Sequence, residues 1–296
     1  MQKQIKKVVI PVAGLGTRGL PFTKEIPKEM LPIVDVPTIQ WIVEEVLSAG
    51  IEQIVFVTSR GKHALQDYFD HSPALEAFLR KKGKNELADK LQRIGSLCEV
   101  MSVRQKEPLG LGHAVLCAQP IVGEEPFAVC LGDEIFPPWD DINRTQPPVK
   151  QLVQAFQKIG SSVVGVMEVP LAETKHYGIL KIDSHPKEID APFKVVGTVE
   201  KPQPEKAPSR FAIIGRYVFE PIIFEYLKST PKGAGGEIQL TDGMTQLCGR
   251  EGLYALQMQG CRYDVGNPFF YVKAQVDEAL RRPELAQPLR DYLKTL

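Results

Sequence analysis

With 296 residues, 43% of them apolar and 24% charged, the chain is long enough to bury a full core and has the ordinary composition of a globular protein. Its 36 basic residues balance 36 acidic ones, so no overall field draws it to nucleic acid or a membrane surface, and attraction for an anion must be local. Five scattered cysteines without a C-x-x-C spacing argue against a disulfide framework or a zinc site and for reduced thiols in a cytoplasm, and no apolar stretch is long enough to span a bilayer.

The β-branched run Val8 to Val12 predicts a buried strand. It breaks into a loop carrying Gly14, Gly16 and Gly19, where main-chain N–H groups can approach an anion without a Cβ in the way. Arg18, Lys24 and Lys28 follow, and Pro21, Pro27 and Pro32 keep the span from forming a long helix. A strand feeding a glycine loop with fixed cations suits a polyphosphate. Gly14 to Gly19 also satisfies the dinucleotide fingerprint G-x-G-x-x-G, but that motif needs a helix opening at its glycines and an acidic residue ending the next strand. Here prolines follow, and the next strand runs into Thr58-Ser59-Arg60.

Ile39, Ile42, Val43, Val46 and Leu47 recur at helical spacing, and Gly50 closes that helix. Gln53 to Thr58 reads as a second strand, followed by a short helix from about Lys62 to Phe69, with His63 and His71 on the surface. The charge-rich, periodic stretch from Ser72 to Gly95 predicts a solvated helical hairpin. Val100 to Arg104 is a third strand, running into Gln105 and then Gly110-Leu111-Gly112-His113-Ala114 at a helix start. A Gln amide carries a donor and an acceptor and can match a pyrimidine edge, although a surface Gln and a turn Gly are the plainer reading. His113 reads as a helix-start residue. Phe127 to Leu131 is a fourth strand ending Gly132-Asp133-Glu134. A carboxylate there, beside the phosphate loop, is where Mg²⁺ should be held; Glu134 points the other way and is not counted as a ligand.

A proline-rich connector (Pro137 to Pro148), a helix (Val149 to Ile159) and a strand (Ser162 to Val169) follow. Tyr177-Gly178 starts a strand, and Val195 to Pro202 is another, ending in Glu200-Lys201. Neighbouring strand residues face opposite ways, so these two reach one ligand only if the strand twists or ends there; alone they read as an exposed ion pair. Phe211 to Phe219 is a further strand, with a helix after it. The glycine turn at Gly233 to Gly236 opens another helix, with Glu237 and Asp242 read as structural. Leu253 to Tyr263 predicts a late strand ending Asp264-Val265-Gly266-Asn267, whose Asp264 is the second carboxylate assigned to the metal. Phe269 to Leu296 has helical spacing and is expected to pack on the sheet or form a subunit contact.

The pattern GLGTR-x-LP-x-TK-x-IPKEMLP-x-VD-x-P, Gly14 to Pro37, resembles the signature of the bacterial UTP–glucose-1-phosphate uridylyltransferases, in the sugar-nucleotidyltransferase superfamily, and the likeness continues to Gly266-Asn267. The resemblance implies one α/β domain over 1–296, with a Rossmann-like, mixed but mostly parallel sheet flanked by helices and a smaller sugar-binding β subregion. The nucleotide-binding half would span about 1–148 and the sugar-binding half about 149–296. It implies transfer of a uridylyl group from UTP to glucose 1-phosphate with Mg²⁺, by a cytoplasmic homo-oligomer (dimer or tetramer). Ala13, Gly14, Gly16, Thr17, Glu29, Gln105 and Gly110 match the nucleotide-binding residues. Arg18 and Lys28 would clamp the triphosphate, and Asp133 and Asp264 would hold the metal. Gly178 and Glu200 would meet the sugar and Lys201 its phosphate, with Gly266 leaving that phosphate room. Two positions depart: Gly132, where uridylyl relatives more often carry Pro, and Gly236, commonly Asp. A dTTP-using enzyme, a non-catalytic sugar-nucleotide-binding homologue and a NAD-dependent oxidoreductase remain as alternatives.

Overall fold

A computed structural model describes residues 4–137, 146–186, 188, 191–233 and 236–296. Nine strands form one sheet: β1 (Lys7–Pro11), β4 (Gln53–Thr58), β5 (Glu99–Arg104), β6 (Phe127–Cys130), β8 (Val163–Glu168), β9 (Gly178–Ile182), β10 (Phe193–Glu200), β11 (Phe211–Phe219) and β12 (Leu253–Gln257). Two short ribbons stand apart, β2 (Pro32–Ile33) with β3 (Val36–Pro37) and β7 (Glu134–Ile135) with β13 (Tyr263–Asp264). The helices are α1 (Thr38–Ser48), α2 (Ala64–Asp67), α3 (Pro73–Lys81), α4 (Asn85–Gly95), α5 (Leu111–Cys117), α6 (Gln119–Val122), α7 (Pro148–Ile159), α8 (Ile223–Ser229), α9 (Leu240–Arg250), α10 (Pro268–Arg281) and α11 (Pro283–Leu293). Most of the connector from Pro137 to Pro148 lies outside the described residues.

The sheet order is β5-β4-β1-β6-β11-β8-β12-β10-β9. Its first four strands are parallel, as are β8 and β12, but β6–β11, β11–β8, β12–β10 and β10–β9 are antiparallel. The expectation of a mostly parallel sheet is therefore corrected: the sheet is evenly mixed. Each early link passes through helices that return the chain to the same end of the sheet. The link 183–192 joins antiparallel neighbours, so the chain reverses there, whereas β10 and β11 run the same way, each antiparallel to β9.

From β1 the chain moves outward to β4 and β5, then returns to place β6 on the other side of β1. That reversal opens a crevice at the carboxyl ends of β1 and β6, where open α/β sheets bind ligands. Alternation along β1 divides the core: Val8 and Ile10 pack with α1 and α7 residues such as Ile42, Val46 and Phe156. Val9 faces the other layer with Val115, Phe224 and Met244 from α5, α8 and α9.

The hairpin α3–α4 buries only Leu79 and Ala88, in keeping with a solvated pair. The late strand is two pieces, because the chain turns through Gly260 after β12 and leaves the main sheet to form β13. The C-terminal segment packs on the two short ribbons. Helix α10 docks on the β2–β3 ribbon, with Gln275 Oε1 accepting from the Val34 N–H at 2.8 Å and the Tyr271 hydroxyl donating to Pro32 O at 2.9 Å, and α11 buries no side chain.

Candidate active site

The crevice is a cleft of about 880 Å³ bounded by the signature loop, the Leu131–Glu134 segment, and the ends of β9 and β10. Prolines divide the loop into three single 3₁₀ turns, Thr17–Gly19, Phe22–Lys24 and Lys28–Met30. The Gly19 N–H and the Thr23 hydroxyl both donate to Gly16 O, at 2.9 and 2.6 Å. Gly16 itself lines a separate cavity of about 460 Å³, while Thr17, Arg18 and Lys28 line both. Lys24 is exposed and lines neither.

Four charged side chains meet at the centre. Arg18 Nη1 lies 3.1 Å from Asp264 Oδ2 and Nη2 3.3 Å from Asp133 Oδ2, and Lys28 Nζ donates to the same Asp133 oxygen at 2.5 Å. The ribbon β7–β13 makes this meeting possible: Asp264 pairs with Glu134, and the Val265 N–H donates to Asp133 O at 2.9 Å. A Cβ at Gly266 would stand 2.7 Å from Arg18 Nη2. Burial alone would raise the Asp133 pKa, but Lys28 and Arg18 reverse that and hold the carboxyl below the usual aspartate range. Burial opposes the charge on Lys28 in turn, and Asp133 and Glu29 overcome it, keeping the amine firmly protonated.

Asp133, in the turn before β7, and Asp264, on β13, thus converge on one guanidinium. Hard oxygen donors arranged this way fit a divalent cation that completes its shell with phosphate and water, as Mg²⁺ does. Among the described residues no cluster of three or more His, Cys, Asp or Glu forms an all-protein metal cage. Glu134 is occupied elsewhere: Arg262 grips both its carboxylate oxygens, donates to the Tyr177 hydroxyl at 3.3 Å, and lies 5.0 Å over the Tyr177 ring.

At one end of the cleft stand Ala13, Gly14, Glu29, Gln105 and Gly110. Glu29 is fully buried; its Oε2 pairs with Lys62 Nζ at 3.0 Å, whereas Oε1 has no hydrogen-bond partner among the described residues. Burial raises the Glu29 pKa, and Lys62 and Lys28 offset that only in part. Lys62 is absent from the sequence-derived site, although a cation just after β4 stands at the carboxyl end of a strand beside the signature loop. The Gly132 departure has a local consequence, because a Cβ there would lie 2.9 Å from Glu29 Cγ. Gln105 is buried, with its amide nitrogen 3.1 Å from Gly110 O and 3.0 Å from His113 Nδ1.

Gly178, Glu200 and Lys201 stand at the other end. Strand β10 stops at Glu200, and Lys201 takes a left-handed φ of 43°, which breaks the two-residue alternation and turns both side chains to the cleft. The Lys201 N–H donates to Tyr177 O at 3.0 Å, its Nζ lies 3.2 Å from Glu200 Oε1, and the Thr241 hydroxyl donates to Glu200 Oε2 at 3.1 Å. Glu237 lines the same cleft and accepts from the Gln239 amide at 2.8 Å.

Comparison with known proteins gives a consistent result. The family model described as nucleotidyl transferase matches residues 7–280. A Staphylococcus epidermidis UTP–glucose-1-phosphate uridylyltransferase is 48% identical over 294 residues, 99% of each chain. A UTP-bound UGPase from Acinetobacter baumannii superimposes with a TM-score of 0.90 at 39% identity, covering 99% of this chain and 100% of the other. A UDP-glucose pyrophosphorylase complexed with UDP-glucose gives 0.83 at 41% identity, covering 94% and 100%. A full-length match in sequence, together with the same α/β architecture, means that this chain belongs to the nucleotidyl transferase family, among the bacterial UTP–glucose-1-phosphate uridylyltransferases.

Proposed function

We propose that the protein transfers a uridylyl group from UTP to glucose 1-phosphate, releasing pyrophosphate and UDP-glucose. The observation that carries this reading is the convergence of Arg18, Lys28, Asp133 and Asp264 midway along one cleft, between Gln105 and Gly110 at one end and Glu200 and Lys201 at the other. The bound ligands of the similar solved proteins, UTP in one and UDP-glucose in another, support it.

The attacking oxygen belongs to a sugar phosphate whose second pKa is about 6 by analogy with phosphoserine, so it is anionic at neutral pH and needs no side-chain base. The protein's task is to align two polyanions in line and offset the charge that moves to the leaving pyrophosphate. Lys201 holds the sugar phosphate, and Glu200 with the backbone at Gly178 orients the sugar hydroxyls. Lys28 and Arg18 take the triphosphate; Arg18 is more than half exposed (59%) and can turn from the carboxylates to the phosphates. Asp133 and Asp264 would hold Mg²⁺, which when bound supplies positive charge at the α-phosphate.

Pyrophosphate release measured with UTP against dTTP, and with glucose 1-phosphate against other sugar phosphates, tests this directly; a preference for dTTP would move the chain to the thymidylyl reading. Lys201→Ala is expected to raise KM for glucose 1-phosphate roughly 10- to 100-fold, the worth of one charge-assisted hydrogen bond, while KM for UTP moves little. An unchanged response to glucose 1-phosphate would remove Lys201 from the sugar phosphate.

A further inference from the structure

The Gln105 side chain is held more firmly than base recognition by a lone amide requires. Its Nε2 carries two hydrogens, and both are taken within the protein, one by Gly110 O at 3.1 Å and one by His113 Nδ1 at 3.0 Å. A carbonyl oxygen can only accept, so Gly110 fixes which end of the amide is nitrogen. It follows that His113 Nδ1 accepts and that the ring proton sits on Nε2. The amide oxygen Oε1 takes no hydrogen bond from any described residue, and Gln105 lines the cleft while His113 does not.

We infer that His113 is a positioning residue for base selection: by consuming the second amide hydrogen of Gln105, it leaves only an acceptor facing the base. This rests on the uridylyl reading above. Uracil and thymine present a donor, N3–H, to such an acceptor. Cytosine presents a bare N3, so two acceptors would meet in a desolvated site, and a site of this kind rejects the mismatched ring strongly. Burial and Lys232 lower the His113 pKa against the pull of Glu107, which favours the neutral ring that this arrangement needs. The nearest group on its own helix, the Cys117 thiol, is 3.9 Å from the ring nitrogens and too weak a partner to compete for Nδ1. The sequence reading of His113 as a helix-start residue misses this, because the contact joins residues eight apart across the Gly110 turn.

The test is the ratio of kcat/KM for UTP to that for CTP, measured on the full chain with glucose 1-phosphate as acceptor. His113→Leu removes the acceptor and leaves one amide hydrogen unpaired; the UTP:CTP ratio is expected to fall roughly tenfold, the worth of one such hydrogen bond. His113→Gln, whose carbonyl can accept the same hydrogen, should restore most of the ratio. His113→Arg, which sets a donor against a donor at a half-buried site that accepts a polar side chain, should lower the ratio at least as far as the Leu change. If the Leu and Arg variants melt like wild type and keep the ratio, or lose UTP and CTP activity in equal proportion, His113 does not act in selection. Should the Leu variant fail to fold, the contrast between the Gln and Arg variants decides the matter alone. A wild-type enzyme that ignores UTP defeats the functional reading itself, before any variant is measured.

Discussion

Asp133→Asn is expected to lower turnover with saturating UTP and glucose 1-phosphate by roughly 10²- to 10³-fold, the cost of removing one preorganised charge from a phosphoryl-transfer site. Asn keeps the size of the side chain and one acceptor oxygen, but leaves Lys28 and Arg18 without the carboxylate they share at 2.5 and 3.3 Å. The half-saturating concentration of Mg²⁺ or Mn²⁺ should rise as well, since only Asp264 would remain of the pair. The helices and strands should persist, because the backbone bond from the Val265 N–H to residue 133 does not depend on the side chain. A stability difference should also show at acid pH. A carboxyl held below its unfolded value of 3.8 contributes stability in full above that pH and loses it as pH falls through the depressed folded value. The Asn variant should lack that portion of the acid transition. Near-normal turnover with an unmoved metal dependence would take Asp133 off the cation.

The largest expected effect on stability lies behind the site. Glu45 and Arg216 are both fully buried, with Arg216 Nη2 donating to Glu45 Oε2 at 2.8 Å and Nε to Oε1 at 3.1 Å. Glu45 also accepts from the Val149 N–H at 3.1 Å, at the start of α7. The guanidinium reaches further, donating to Glu134 O at 2.7 Å and Gly215 O at 3.2 Å, and lies 4.9 Å over the Phe136 ring. The pair therefore ties α1, α7 and β11 to the segment that carries Asp133. Glu45→Ala strands the guanidinium without a counter-charge, a change that typically costs about 3–5 kcal/mol. In a domain of this size that corresponds to a fall in Tm of roughly 5–8 °C. Replacing both partners by Met should recover only part of the loss, because the Glu134 carbonyl would lose the guanidinium donor, while Gly215 O would keep the Leu131 N–H. Full recovery would mean that Arg216 serves only to neutralise Glu45. A Glu45→Ala protein melting within 2 °C of wild type would show that the pair stabilises nothing.

Neither residue of that pair stands out in the sequence, although each leaves a trace. Glu45 falls three residues after Ile42 on the apolar stripe of α1, and Arg216 interrupts the otherwise apolar run of β11, where all nine residues are buried. A charge at a position whose periodicity points inward marks a buried partner, but not which one, and these two lie 171 residues apart. Lys62 and Arg262 are similar cases: each pairs with a buried glutamate far from it along the chain.

Strand and helix positions were legible because they depend on local periodicity, which the side chains of a short segment carry by themselves: Gln53–Thr58 and Phe211–Phe219 emerge as read. The signature loop was legible for the same reason, since glycine, proline and fixed cations act within a few residues of one another. Strand direction, the break of the late strand into β12 and β13, and the meeting of Asp133 with Asp264 were decided only by the tertiary structure. They depend on which distant segments pair, and a linear pattern carries no record of that pairing. The turn of Lys201 into the cleft belongs with them, because a left-handed lysine is held by the Tyr177 carbonyl just before β9 and not by its own sequence neighbours.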